Sequence, residues 1–170
     1  HAGIHWQQWL YDELIKQDYR VLMPEMPNPD KPDRDVWLQT VKDIVGSSDL
    51  ENLTIMGHSL GATTAFDYIE QLDEKIDGLV SVSGFAEDYG AELNGYFLKQ
   101  KHINFEKIKN NLRWSAVLYG DDDPYVTQEA LRYVADSLNV EPTIISGGGH
   151  INTEKGYTEL PQLIKILEQK

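Results

Sequence analysis

The chain has 170 residues, 41% hydrophobic and 25% charged, with no cysteine; it has the size of one domain over residues 1–170, and disorder, collagen-like repeats, disulfides, thiolate metal sites and cysteine nucleophiles are excluded. Fifteen Lys and Arg stand against 28 Asp and Glu, a net charge of −13, so nucleic acid and anionic membrane surfaces would be repelled. No apolar run is long enough to span a bilayer, and the absence of cysteine fits a reducing compartment, so a cytoplasmic protein is expected.

The predicted elements alternate along the chain. His5–Lys16 reads as a helix with Trp6, Trp9, Leu10, Leu14 and Ile15 as its apolar stripe, and Arg20–Met23 as a short strand stopped by Pro24, Pro27 and Pro29. Asp35–Val45 is an amphipathic helix, Asn52–Met56 a strand and Ser59–Leu72 a helix. The continuous apolar run of Ile76–Ser83 suits a strand buried on both faces. Residues 85–112 are expected to hold one or two short helices, with Phe105–Asn110 the better candidate. Trp114–Tyr119 is a strand, Thr127–Leu138 a helix, Pro142–Ile145 a strand and Glu159–Glu168 a closing helix. This order predicts an α/β fold, a mainly parallel sheet with helices on both faces. The four tryptophans, Trp6, Trp9, Trp37 and Trp114, read as core residues.

The most specific motif is Gly57-His58-Ser59-Leu60-Gly61, a G-x-S-x-G sequence between a predicted strand and a predicted helix. Such an elbow holds a nucleophilic serine on a strained turn, where side chains two residues away on either side would collide with it, so Gly57 and Gly61 are expected to clear space. Ala62 keeps the turn open further. The helix start offers free N–H groups and a partial positive charge to an oxyanion, with the Leu60 N–H as one donor. A plain serine N-cap would explain Ser59 but not both glycines.

A serine hydroxyl needs a general base, and the base a carboxylate to orient it. Trp114–Tyr119 leads into Gly120-Asp121-Asp122-Asp123-Pro124, and Pro142–Ile145 into Ser146-Gly147-Gly148-Gly149-His150. The order serine, acid, histidine selects His150 as base and Asp123, aimed back by the turn before Pro124, as acid. Asp122 remains the alternative acid; otherwise Asp121 and Asp122 read as solvated turn residues. His58 occupies the free position of the elbow and is expected to line the pocket. His102 is expected to be exposed, His5 to be a first-turn residue, and His1 is terminal. No histidine pair has the spacing of a helical zinc site, and no dinucleotide or phosphate-loop fingerprint is present, so neither metal nor cofactor is expected.

With these residues, His5-Trp6 followed by Trp9-Leu10, Met26-Pro27-Asn28-Pro29, Val82-Ser83-Gly84-Phe85, Asp122-Asp123-Pro124 and Gly148-Gly149-His150, the chain resembles the small serine-hydrolase family that includes bacterial YdeN-type proteins and a vertebrate retinoblastoma-binding relative. The resemblance spans nearly the whole chain. It implies an α/β-hydrolase three-layer sandwich, a Ser59–Asp123–His150 triad and esterase-like activity on small acyl esters, a small-molecule substrate. The roughly thirty residues between the strands at Ser83 and Trp114 are too few for a large lid domain.

The start of the chain differs from the resemblance. Members begin with a strand ending in His-Gly, whereas only four residues precede His5 here, and the strand predicted at Arg20–Met23 has no local parallel partner for its backbone groups. A first strand is therefore expected upstream of His1, roughly ten or more residues long with its turn, and the second oxyanion donor stays unassigned. Two further readings differ in function: a protein-interaction module on a hydrolase scaffold, or the same triad cleaving amides, thioesters or lactones.

Overall fold

The computed structural model describes residues 3–91 and 95–170; His1, Ala2 and, within the segment 85–112, Glu92, Leu93 and Asn94 lie outside them. Eleven labelled elements follow in chain order: α1 (Gln7–Lys16), α2 (Arg34–Val45), β1 (Thr54–His58), α3 (Leu60–Glu70), β2 (Ile76–Val82), α4 (Gly95–Leu98), α5 (Phe105–Asn110), β3 (Leu112–Gly120), α6 (Gln128–Leu138), β4 (Thr143–Ile145) and α7 (Pro161–Glu168). The boundaries follow local chemistry. The Asp33 carboxylate caps α2 by accepting from the N–H groups of Asp35 and Val36, and the Thr127 hydroxyl caps α6 at Ala130. Asn139 ends α6 in the left-handed region, at φ 58°. Pro161 opens α7, where its missing N–H costs nothing.

The four strands form one parallel sheet in the order β1-β2-β3-β4. Strands that pair in sequence order through right-handed crossovers place their connecting helices on one face. That face holds the larger core, where Phe66 and Ile69 of α3, Ile108 of α5 and Leu131 and Val134 of α6 pack with Leu79 and Val117 of the sheet and Trp37 of α2. Alternate strand residues, Val80, Val82 and Leu118, point the other way and meet Leu10 and Leu14 of α1 and Leu163 of α7. The result is the expected three-layer sandwich. Among the described residues, α4 and α5 occupy the segment before β3, and α5 has the predicted bounds.

The strand predicted at Arg20–Met23 is not one: the segment carries no strand pairing. Its residues Leu22 and Met23 line a cavity of about 650 Å³ together with Thr54 and Met56 of β1. A short apolar run adopts strand structure only when a neighbour takes its hydrogen bonds, and here the cavity separates it from β1. The other helix and strand predictions match in type, with ends shifted by a few residues. Trp6 and Trp37 are buried, while Trp9 and Trp114 are partly buried against the smaller core.

Register aligns the carboxyl ends of the strands. His58 is level with Val82, Val82 with Leu118, and Gly120 with Ile145. The ladder continues one residue further, with Ser59 N–H donating to Val82 C=O at 3.0 Å and Asp121 N–H to Ile145 C=O at 3.2 Å. The loops after β1, β3 and β4 therefore open on one edge of the sheet, the edge where open parallel sheets hold their ligands.

Candidate active site

Ser59 is the first residue past β1 and sits at φ 55°, ψ −126°. A non-glycine residue there is strained by about 1–3 kcal/mol, and the ordered strand and helix on either side hold it in place. A Cβ added at Gly57 would lie 2.5 Å from the Cα and N of Ala62, so β1 can meet α3 this closely only through a glycine. Gly61 differs from expectation. A Cβ there would meet nothing within 4 Å, so no clash demands this glycine; it lines the cavity beside Ser59 instead. Leu60 is the first residue of α3, so its N–H has no partner within the helix.

His150 arrives on the loop after β4. Its Nδ1 lies 2.7 Å from Oδ2 of Asp123, whose side chain is fully buried. The other Asp123 oxygen accepts from the N–H groups of Tyr125 (2.9 Å) and Val126 (3.0 Å), which fixes the carboxylate in its turn. Asp122 is not the partner of His150. It accepts from the Gly149 N–H at 2.6 Å and from Lys155 Nζ at 2.7 Å, contacts that hold its carboxyl below the usual range, the lysine bond foremost. Asp121 accepts from the Gly147 N–H at 2.7 Å. Both aspartates are exposed as expected, yet neither is merely solvated: the three consecutive carboxylates grip three positions of the histidine loop.

The opposite side of that loop is held by aromatic nitrogens. His58 Nε2 is 2.8 Å from the carbonyl oxygen of His150, Trp6 Nε1 donates to the Ile151 carbonyl at 3.1 Å, and Thr153 N–H donates to Nδ1 of His5 at 3.2 Å. The rings cluster, with His58 4.9 Å from His150, 5.5 Å from His5 and 5.9 Å from Trp6. Burial, reinforced by His150 alongside, pushes His58 down to about 3, so the ring is neutral at ordinary pH. Burial and His150 lower His5 as well. Ser59 and His150 line one cavity of about 490 Å³, with His5 and His58 at its wall and Trp37, Val41 and Ile44 of α2 on its apolar side. Tyr125 stands edge-on to His150 at 5.3 Å, its hydroxyl donating to Glu154 at 2.6 Å.

Residues 2–169 match the family model described as serine hydrolase. The chain belongs to the serine hydrolase family. This hydrolase is 27% identical over 165 residues to YdeN of Bacillus subtilis, which carries a provisional hydrolase name; the match covers 96% of this chain and 86% of YdeN. The crystal structure of the B. subtilis ydeN product superposes with a TM-score of 0.90 at 26% identity, over 99% of this chain and 92% of that one. A YdeN-like protein of Pectobacterium atrosepticum follows at TM-score 0.72 and 21% identity, covering 97% and 81% of the two chains. A meta-cleavage product hydrolase of Pseudomonas fluorescens shares the fold at TM-score 0.72 and 13% identity, covering 99% and 85%.

Within this serine hydrolase the structure joins Asp123 to His150 and sets Ser59 on the same cavity. His58 lines that cavity as expected, and His102 is exposed. His5 is no first-turn residue of α1: it precedes the helix at φ 56° and packs on His58. His5, Trp6 and Tyr125 went unassigned to the site because their contacts are made with residues far along the chain. The adjacent His5-Trp6 pair ahead of α1 is the sequence feature that marks the first two. No helix among the described residues is long and apolar enough to cross a membrane.

Proposed function

We propose that this serine hydrolase cleaves small acyl esters through Ser59, His150 and Asp123. One observation carries the reading. His150 gives one ring nitrogen to the buried Asp123 at 2.7 Å, while its ring shares a cavity with a serine held on a strained strand-to-helix turn. A carboxylate that accepts from Nδ1–H leaves Nε2 free to take a proton.

The steps follow from that assignment. Ser59 Oγ attacks the ester carbonyl carbon as its proton passes to His150 Nε2. Asp123 stays ionised and balances the imidazolium. The oxyanion meets the Leu60 N–H at the positive end of α3, a donor worth about 3–4 kcal/mol in comparable sites. Collapse breaks the bond to the alcohol oxygen, which leaves with the proton from His150. Water then attacks the acyl-serine, gives its proton to His150, and the second collapse returns Ser59 and a carboxylic acid. The apolar wall formed by Trp37, Val41 and Ile44 suits the acyl side chain.

The test is intact-mass analysis after fluorophosphonate treatment of the protein and of Ser59→Ala. One adduct on the first and none on the second is expected, and a panel of ester, thioester, amide and lactone substrates then ranks the bond cleaved, esters fastest. A folded protein that takes no adduct would overturn the triad, and a panel led by another bond would overturn the ester.

A further inference from the structure

The residue before the serine is free in the elbow motif, yet here it spans the site. His58 closes β1, and its Nε2 reaches 2.8 Å across to the carbonyl oxygen of His150. A carbonyl oxygen only accepts, so Nε2 carries the hydrogen and donates it. The chain neighbours His58 and Ser59 thus bear on the two ends of one reaction coordinate: Ser59 would carry the nucleophilic oxygen, and His58 holds the backbone of the residue that takes its proton.

Resting on the triad reading above, we propose that His58 is a positioning residue, a tether that fixes the His150 backbone relative to Ser59 through its Nε2–H.

Three features support the tether. First, the loop that carries His150 needs holding. Gly147, Gly149 and Ile151 lie at φ 66°, 54° and 49°, and a left-handed β-branched residue such as Ile151 persists only when its surroundings impose it. Second, the contacts on the other side of the loop come from Asp121, Asp122 and Asp123, all in the turn after β3. They set His150 relative to β3, not relative to the serine just past β1. Among the contacts described, His58 is the one that links the β1 end directly to His150. Third, the ring is held as a neutral donor. His5 and Trp6 ahead of α1, His150 on the loop after β4 and Asp123 on the loop after β3 are the aromatic and titratable groups around it. A second cation beside His150 would oppose the imidazolium that forms in turnover, and burial keeps His58 from becoming one.

The experiment compares His58→Gln with His58→Met. Glutamine keeps an N–H donor at similar reach, and methionine has similar volume without one. Fluorophosphonate labelling rate, kcat and KM on one ester, and melting temperature are measured for both and for the unaltered protein. His58→Met is expected to lose kcat and labelling rate on the order of 10–100-fold, the penalty of a base displaced by about an ångström, with KM changed by less than about threefold. His58→Gln is expected to regain most of that loss, whatever its melting temperature. Equal losses in the two variants, or a folded His58→Met at full rate, would overturn the tether. If His58→Met does not fold, His58→Phe takes its place. Unfolding of both apolar variants would overturn the proposal too, because the group would then be holding up the fold. Failure of the unaltered protein to label would instead bring down the triad reading itself.

Discussion

Trp6 donates its indole N–H to the backbone carbonyl of Ile151 at 3.1 Å, across 145 residues of sequence. The acceptor peptide belongs to a residue at φ 49°, a conformation that costs a β-branched side chain about 1–3 kcal/mol. The ring is itself core, 2% exposed and packed in the layer that α1 and α7 share. One side chain thus joins the smaller core to the loop that carries His150.

Trp6→Phe should therefore lower stability and activity together. The buried carbonyl loses its donor and the core loses ring volume, for a combined cost of about 2–4 kcal/mol. Urea unfolding would measure the first effect, and kcat at a temperature where the variant remains folded would measure the second. A stability loss with unchanged kcat would mean that the loop keeps its shape without the anchor.

The three aspartates after β3 should separate cleanly by function. Asp123→Asn keeps the shape but offers a poor acceptor for the His150 ring, and kcat should fall about 10³–10⁴-fold with little change in KM. Asp122→Asn loses its ion pair to Lys155 but can still accept from the Gly149 N–H, so kcat should fall less than about tenfold. Steady-state kinetics on the two variants decide the matter. A larger loss in Asp122→Asn would reassign the acid.

How much of this was legible in the sequence depends on how local each feature is. The buried run of β2 and the six residues of α5 announce themselves, because periodicity and composition act over a few residues. The placement of Ser59, Asp123 and His150 at strand ends is also legible, since each stands at or just past the end of a strand beside glycines or a proline that constrain the backbone. Arg20–Met23 failed because strand structure is a property of two segments, and its own residues say nothing about a partner. The elbow glycines show the same limit at smaller scale. One rule covered both, but only Gly57 faces a backbone it would strike, while Gly61 faces open space. The contacts of His5 and Trp6 with Thr153 and Ile151 span nearly the whole chain, that of His58 with His150 spans 92 residues, and no spacing rule encodes them.

The depressed His58 gives stability a pH dependence of definite sign. Its value is about 3 in the folded protein against an ordinary 6.5. Between those values the unfolded chain binds a proton that the folded chain excludes, so stability is fully present above about pH 6.5 and is lost as pH falls. The slope from this group approaches about 1.4 kcal/mol per pH unit, or about 2 kcal/mol lost by pH 5. His58→Gln lacks this titration while the carboxylates remain common to both proteins. The stability difference between the two should therefore shift by about 2 kcal/mol in favour of the variant between pH 7.5 and pH 5. Chemical denaturation at the two pH values tests it; parallel curves would place His58 in contact with water and at its ordinary value.

A buried charge cluster fastens α2 to α3, to α4 and to the segment just after it. Arg34 Nε meets Asp67 Oδ2 at 2.6 Å and its NH2 meets Oδ1 at 2.9 Å, with both side chains 3% exposed or less. The remaining NH1 donates to the carbonyls of Phe97, Leu98 and Lys101 at 3.0–3.2 Å, and Lys101 pairs with Glu70 at 2.9 Å. Arg34→Met removes one partner of a desolvated pair and three carbonyl contacts at once, so a loss of about 3–5 kcal/mol is expected. The double variant Arg34→Met/Asp67→Leu also removes the buried carboxylate, which Arg34→Met leaves with Lys101 Nζ at 3.4 Å as its remaining cation. Its loss should be smaller than that of Arg34→Met alone, because two well-packed apolar side chains can replace a buried ion pair at little cost. Unfolding free energies of the two single variants and the double form the test. A double variant less stable than either single one would show that the three carbonyl contacts, rather than the ion pair, hold the segment against α3.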